Sequence, residues 1–474
     1  MSESVYDVVV IGGGLAGFSA AIRCAELGLR PVVLEQGAAE NYLCNSRITM
    51  GVFQVALHDM LGGAESLAAA IDHATRGYVA AGLRDKYAAE AGPALRWLMG
   101  HGIRTIKAGA ATRNLATLAP PVPRQPGLHW QGRAGDVMLR TLAAKLHALG
   151  GTLLRGTRAR ELLMENGRCA GAAATGGGES HRFTARAVVL ADGGFQGNPD
   201  LVRRFISKRP DRLLERNAKT GRGNGLLMAE AVGAALTDMN CFYGHVQARD
   251  AMDNPELWPY PTIDFPIAAG IAVDADGRRF SDEGLAGVAI ANAIARLDDP
   301  LGAVAIFDEA IWELSGKTYV MSANPFLVEA GATFHRGESL EAIAAQAGLP
   351  RETLAATVAR YNDAVAAGTL DRLDPPRSAD TGHIWGSKAL PIRRPPFYAV
   401  PLCAGITYTM GGLAVDAAAR VQHREGRAIE GLYAAGGTIG GLEGGPVVGY
   451  SGGLAKALTF GKIAGESIAQ ALGR

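Results

Sequence analysis

The chain has 474 residues, and 63 of them are glycine, about 13% against a usual level of about 7%. With 48% hydrophobic and 20% charged residues and a net charge of +1, it is globular and long enough for two or three domains. That balance excludes disorder and gives no reason to expect a polyanion partner such as nucleic acid. Five scattered cysteines, with no C-x-x-C pair and no Cys/His cluster, argue against a disulfide framework, a zinc site or an iron–sulfur cluster, so no metal is expected.

The chain opens Met1-Ser2-Glu3-Ser4-Val5, without a basic n-region or twin arginine. No apolar run reaches the roughly 18 residues of a membrane span. A cytoplasmic protein without an integral membrane segment is expected. Tyr6 to Ile11 is apolar and β-branched, as a buried parallel strand should be. Gly12-Gly13-Gly14-Leu15-Ala16-Gly17 follows with G-x-G-x-x-G spacing, then a helical pattern from Phe18 to Leu27 with Gly28 at its end. Pro31 to Leu34 is a second strand, and Glu35 closes it 18 residues after Gly17. The physical roles follow from the residue types. Gly12 permits the turn, Gly14 lets a pyrophosphate approach the backbone, and Gly17 lets helix and strand pack closely. The helix start offers N–H groups to phosphate, and Glu35 takes a ribose hydroxyl. An acid at that position argues against a 2′-phosphate, hence against NADP.

Further along, Ala187 to Leu190 is another buried strand, ending at Ala191-Asp192-Gly193-Gly194. Gly431 to Gly437 repeats the theme near the C-terminus. One NAD-binding unit does not need such distant glycine turns, whereas an extended FAD crossed by backbone in several places does. Leu340 to Ala366 has helical Leu/Ala periodicity, and Asp371 to Pro396 reads as a Pro-, Arg- and Asp-rich linker.

Seven segments in order now carry a resemblance. They are the hexad with Glu35; Asn45-Ser46-Arg47; Val188 to Phe195; Gly223-Asn224-Gly225 and its helix; Gly277 to Glu283; Tyr408 to Leu413; and Gly431 through Gly465. Together the chain resembles the succinate dehydrogenase and fumarate reductase flavoprotein family, in the soluble branch with 3-ketosteroid and tricarballylate dehydrogenases. The resemblance implies an α/β fold, a Rossmann-like FAD-binding domain at 1–238 and 398–474, and an inserted α+β cap (substrate) domain at 239–397. It implies non-covalent FAD held by Gly12, Gly14, Leu15, Ala16, Glu35, Gln36, Asn45, Ser46, Arg47, Ala159, Ala191, Asp192, Gly193, Asn224, Gly436, Gly437, Gly452, Gly453 and Leu454. Cys44 lies near the flavin path, but the histidine pattern of covalent attachment is missing.

Departures from the family narrow the chemistry. The arginine of the C-terminal loop is absent from Gly444 to Gly453, the cap's catalytic arginine is absent near Trp312, and Tyr408 replaces a histidine. A dicarboxylate would lose charge-assisted bonds worth about 1.5–3 kcal/mol each. The expected activity is therefore oxidation or reduction of a CH–CH bond beside a carbonyl-type group, with Tyr408, Tyr450 and His245 as acid, base or oxyanion donors. Backbone N–H groups of Gly449, Gly452, Gly453 and Leu454 are expected near the flavin's pyrimidine end. One alternative is a tricarballylate-type dehydrogenase or 2-enoate reductase, with Arg47, Arg133 or Arg279 as anion clamp. Another is a flavin-binding protein without turnover. A small-molecule substrate and an unidentified electron acceptor or donor complete the expectation. Glu443 reads as solvated or, by the resemblance, as replacing a polar family residue beside the isoalloxazine, and Arg203, Arg204, Lys208, Arg209, Arg212 and Arg216 read as one solvated helix face.

Overall fold

The computed structural model describes residues 2–108, 115–319, 321–379 and 387–474. The chain begins with β1 (Ser2–Ile11), α1 (Leu15–Glu26) and β2 (Pro31–Glu35). β3 (Thr152–Arg155), β4 (Thr157–Glu165), β5 (Arg168–Gly176) and β6 (Glu179–Leu190) follow in the same sheet. β2, β1 and β6 lie side by side and parallel, with Val9 opposite both Val32 and Val188. Val8 to Ile11, Pro31 to Glu35 and Ala187 to Leu190 are buried, which explains the unbroken Val/Ile/Leu runs there. β4 and β5 extend the sheet as an antiparallel hairpin.

The chain then builds a second sheet. It holds β7 (Leu214–Glu215), β8 (Phe242–Ala248), β9 (Ile271–Val273), β10 (Val304–Asp308), β11 (His335–Gly337) and β12 (Phe397–Thr409). β12 is its spine and pairs with β7, β8, β10 and β11. The domain boundary expected at 398 therefore falls at the start of a strand that belongs to this second body as far as Thr409. Phe195, Leu201, Val202 and Leu214 also pack into the second core, although they precede the expected boundary at 238. Hydrophobic burial, not chain order, divides the two bodies. β13 (Arg420–Gln422) and β14 (Ala428–Ala434) return to the first sheet, and the long helix α2 (Gly453–Ala471) packs on α1.

The helical stretch expected at 340–366 is two helices, Leu340–Ala347 and Arg351–Ala367. Gly348, left-handed at φ +70°, ends the first, and Pro350 begins the second. Part of the expected 371–396 linker, 380–386, lies outside the described residues. Among the described residues no helix is long and apolar enough to cross a membrane, and no His/Cys/Asp/Glu group could hold a metal.

Candidate active site

A cavity of about 730 Å3 runs from the Gly12 turn to the face of the second body. Its first end is built by backbone. Gly12 turns at φ +106°, and a Cβ there would stand 2.5 Å from the Ala191 carbonyl oxygen. A Cβ on Gly17 would lie well inside contact distance of the Gly12 carbonyl oxygen, so that glycine is demanded by packing. Gly14 differs, because the nearest protein atom to its Cβ would be Ser46 Oγ at 3.3 Å. The room beside it is cavity.

Ser46 Oγ accepts the Leu15 N–H at 3.0 Å, while Gly14 brings no capping side chain to the rest of the first turn. The start of α1 therefore keeps donors and partial positive charge for an anion. Glu35 accepts N–H bonds from Gly13 (2.9 Å) and Gly37 (2.7 Å), yet burial dominates and raises its carboxyl above the ordinary range. Asp192 accepts the Gly225 N–H at 2.8 Å, and burial pushes its carboxyl up to about 6. Gln36, Ala159, Ala191, Gly193, Asn224, Gly436 and Gly437 complete this wall. An acid, a helix start without a capping side chain of its own and a glycine-rich wall together fit an adenine dinucleotide laid along backbone. Asn45 ties the bodies together, donating to Thr407 O at 2.8 Å and accepting from Ala218 N at 3.0 Å.

The second end is aromatic. Strand register sets Tyr243 of β8 directly opposite Tyr408 of β12, with ring centroids 5.3 Å apart. Tyr243 also stacks on Tyr450 at 4.1 Å, and Trp258, Tyr260, Tyr319 and Met321 enclose the space. Tyr408 Oη donates to Glu443, 3.0 Å from Oε2 and 3.1 Å from Oε1. Glu443 is fully buried, ion-paired with Lys456 and accepts the Ser451 N–H. Burial first, and Glu443 second, hold the Tyr408 hydroxyl protonated far above its ordinary value. The Gly453 N–H at the start of α2 points to Tyr450 Oη at 3.4 Å.

His245 is fully buried behind Tyr243. Its Nε2 lies 3.0 Å from Tyr243 Oη and its Nδ1 2.5 Å from Asp264 Oδ2. Asp264 Oδ1 accepts the Val246 N–H at 2.9 Å. Burial keeps the imidazole below its ordinary pKa, against the pull of Asp264.

Of the residues expected at the cofactor, all but Arg47 and Gly452 line the cavity. Arg47 instead forms a buried ion pair with Asp136 and lies over the Tyr42 ring at 4.7 Å. Gly452 and Gly449 are glycines because Cβ atoms would strike the carbonyl oxygens of Gln54 and Ala74. The Gly449 N–H is already given to Gly444 O at 2.8 Å. Tyr408 and Tyr450 reach the cavity, whereas His245 does not line it and stands behind Tyr243. Arg279 is no clamp either, since it is bound to Glu283 and to the carbonyls of Pro375 and Ser281. Arg133 does line the cavity.

Two readings of bland residues reverse. Glu443 is not solvated. Arg216 is buried at the cavity wall, its guanidinium bonded to Pro259 O (2.7 and 2.9 Å) and Thr407 Oγ1 (2.7 Å) beneath Tyr260. Of the same basic stretch, Arg203, Arg204 and Lys208 do lie at the surface, paired with Asp200, Glu230 and Asp298. Tyr243 was legible from its place two residues before His245, which puts both on one strand face. Nothing local pointed to Lys456.

Comparison with known proteins identifies the family. The model of the FAD binding domain family matches residues 7–448, and the chain belongs to that family. NADH:acrylate oxidoreductase of Vibrio harveyi is 28% identical over 70% of this chain and 32% of its own length. A probable fumarate reductase, Ifc3, of Shewanella frigidimarina is 24% identical over 98% of this chain and 75% of its own. The chain thus spans about a third of the acrylate enzyme and three quarters of the second relative. In fold it is similar to 3-ketosteroid delta1-dehydrogenase from Sterolibacterium denitrificans, with a TM-score of 0.75, 20% identity, and coverage of 98% of this chain and 100% of that one.

Proposed function

We propose that this member of the FAD binding domain family is an oxidoreductase acting on a carbon–carbon bond next to a carbonyl group of a small molecule, with an electron partner still to be identified. The observation that carries the reading is the second end of the cavity. Three tyrosines, Tyr243, Tyr408 and Tyr450, converge there beside the N-terminus of α2. Two buried cations at that end are occupied, Arg216 by Pro259 O and Thr407 Oγ1 and Lys456 by Glu443. Neutral hydroxyls beside backbone N–H groups stabilise a carbonyl or enolate oxygen without the cost of desolvating a carboxylate.

Bound FAD supplies hydride exchange with the substrate carbon. The residues at the first end, from Gly14 and Glu35 to Asn224 and Gly437, hold it. Tyr450 and Tyr408 orient the oxygen, and Glu443 keeps the Tyr408 proton in place. Trp258, Tyr260 and Tyr319 exclude water from the reacting bond.

The names of the two relatives, acrylate and fumarate enzymes, together with Arg133 at the wall, support a second reading, a 2-enoate reductase. The two separate under anaerobic conditions. Saturated cyclic ketones should bleach the oxidised flavin, and acrylate or fumarate should reoxidise the photoreduced flavin slowly or not at all. Rapid reoxidation by enoates, without bleaching by any ketone, would establish the second reading instead.

A further inference from the structure

The proposed reaction needs a group that takes a proton from carbon. Tyr408 is less well placed for this, because the carboxylate that would have to take its hydroxyl proton is already committed to Lys456 and the Ser451 N–H. Tyr450 has the Gly453 N–H directed at its oxygen. Tyr243 is different. Its ring lines the cavity between the other two, and its hydroxyl is backed by a nitrogen base.

The protonation states follow from geometry. Asp264 accepts the Val246 N–H through Oδ1, and its Oδ2 faces His245 Nδ1. A carboxylate only accepts, so Nδ1 carries the imidazole proton. In a neutral ring Nε2 is then the acceptor, and Tyr243 is its donor. The surroundings keep the ring neutral at rest: it is wholly buried, with the Arg216 charge opposing protonation and Asp264 favouring it. A Cβ on Gly287 would strike the Asp264 carboxyl, so the facing helix is fitted to that side chain.

We infer that Tyr243, His245 and Asp264 form a proton relay in which Tyr243 is the catalytic acid–base and the other two are positioning residues. The inference rests on the carbonyl reading above. In the forward step the substrate's α C–H bond breaks and its electron pair stays on the carbon as the enolate. The proton goes to Tyr243 Oη while that hydroxyl's own proton moves to His245 Nε2. The product is an imidazolium facing Asp264. No oxidant is consumed, and the reverse movement returns the proton to carbon.

Two measurements on the flavin-loaded protein test the relay separately from the reading beneath it. The first needs no substrate. Nitrogen-15 NMR of histidine-labelled protein should show His245 with a protonated Nδ1 and a bare Nε2, and Tyr243→Phe should shift the Nε2 resonance alone. A protonated Nε2 would overturn the relay. The second follows deuterium entering the α-carbon of cyclohexanone in heavy water without reductant or oxidant. Tyr243→Phe should slow this by about a hundredfold or more. Asp264→Asn, which keeps an acceptor for Val246, should lower kcat by about tenfold or more with KM nearly unchanged. Retained flavin and an unaltered melting temperature show that the variants fold. Exchange in both variants at the parent rate would overturn the relay. Absence of both exchange and bleaching in the parent, with the expected imidazole signals, would overturn the carbonyl reading and still support the hydrogen-bonded array.

Discussion

Arg47 and Arg216 show how far a side chain's type alone can mislead. Arg47 belongs to a motif that pointed to a ligand, yet it is sealed against Asp136, 89 residues away. Arg216 ends a basic run that pointed to solvent, yet it forms part of the cavity wall. Removing one partner of a buried pair leaves an uncompensated charge, so Arg47→Met should cost about 3–5 kcal/mol of stability. A thermal melt checks this, with substrate KM unchanged in the protein that remains folded.

The same pair carries a pH dependence. Burial would raise the Asp136 carboxyl, but the Gly132 N–H and Arg47 outweigh it and hold it below its ordinary value. A depressed carboxyl stabilises the fold above the unfolded value of about 4, and that contribution is lost as pH falls further through the folded one. The parent's melting temperature should therefore fall below about pH 4 more steeply than that of Arg47→Met. Neither partner was legible in sequence, because both pairings are tertiary. Tyr243 was a nearer miss, since strand alternation places it on one face with His245, which the sequence already singled out.

At the scale of elements, the first 35 residues were legible because they obey local rules. A buried strand, a glycine turn, a helix and a second strand each have their own pattern, and the structure returns them within a few residues. The different work of Gly14 and Gly17 was legible as well, since close approach of a ligand and tight packing each call for a missing Cβ. Gly17 meets protein, whereas Gly14 faces the cavity. Gly17→Ala should destabilise even the flavin-free protein, by about 1–3 kcal/mol or more, as overpacking does. Gly14→Ala should leave the flavin-free melt within about 0.5 kcal/mol of the parent while weakening flavin binding. Fluorescence titration with FAD beside the two melts separates these outcomes. β12 was hidden for the opposite reason. Its pairing with β8, β10 and β11 joins segments from 60 to 167 residues apart, so chain position put its start at a domain boundary.

In the whole molecule the cavity is shared. The first body supplies the dinucleotide wall, and the second supplies Tyr243, Tyr260, Tyr319 and Tyr408. A ligand that spans this wall stabilises the folded state by mass action, about 4 kcal/mol at about a thousand times its Kd. The flavin-free protein should melt at a lower temperature and regain the difference on adding FAD. The glycine excess is explained at this scale as well: some glycines let strands and helices close on one another, and others leave room for the cofactor. The most direct test of the whole account is to purify the protein without added flavin, denature it, and then mix fresh protein anaerobically with saturated cyclic ketones. The account predicts a yellow protein that releases unmodified FAD on denaturation and loses its visible absorbance on meeting a ketone. A colourless protein that takes up no FAD would contradict it.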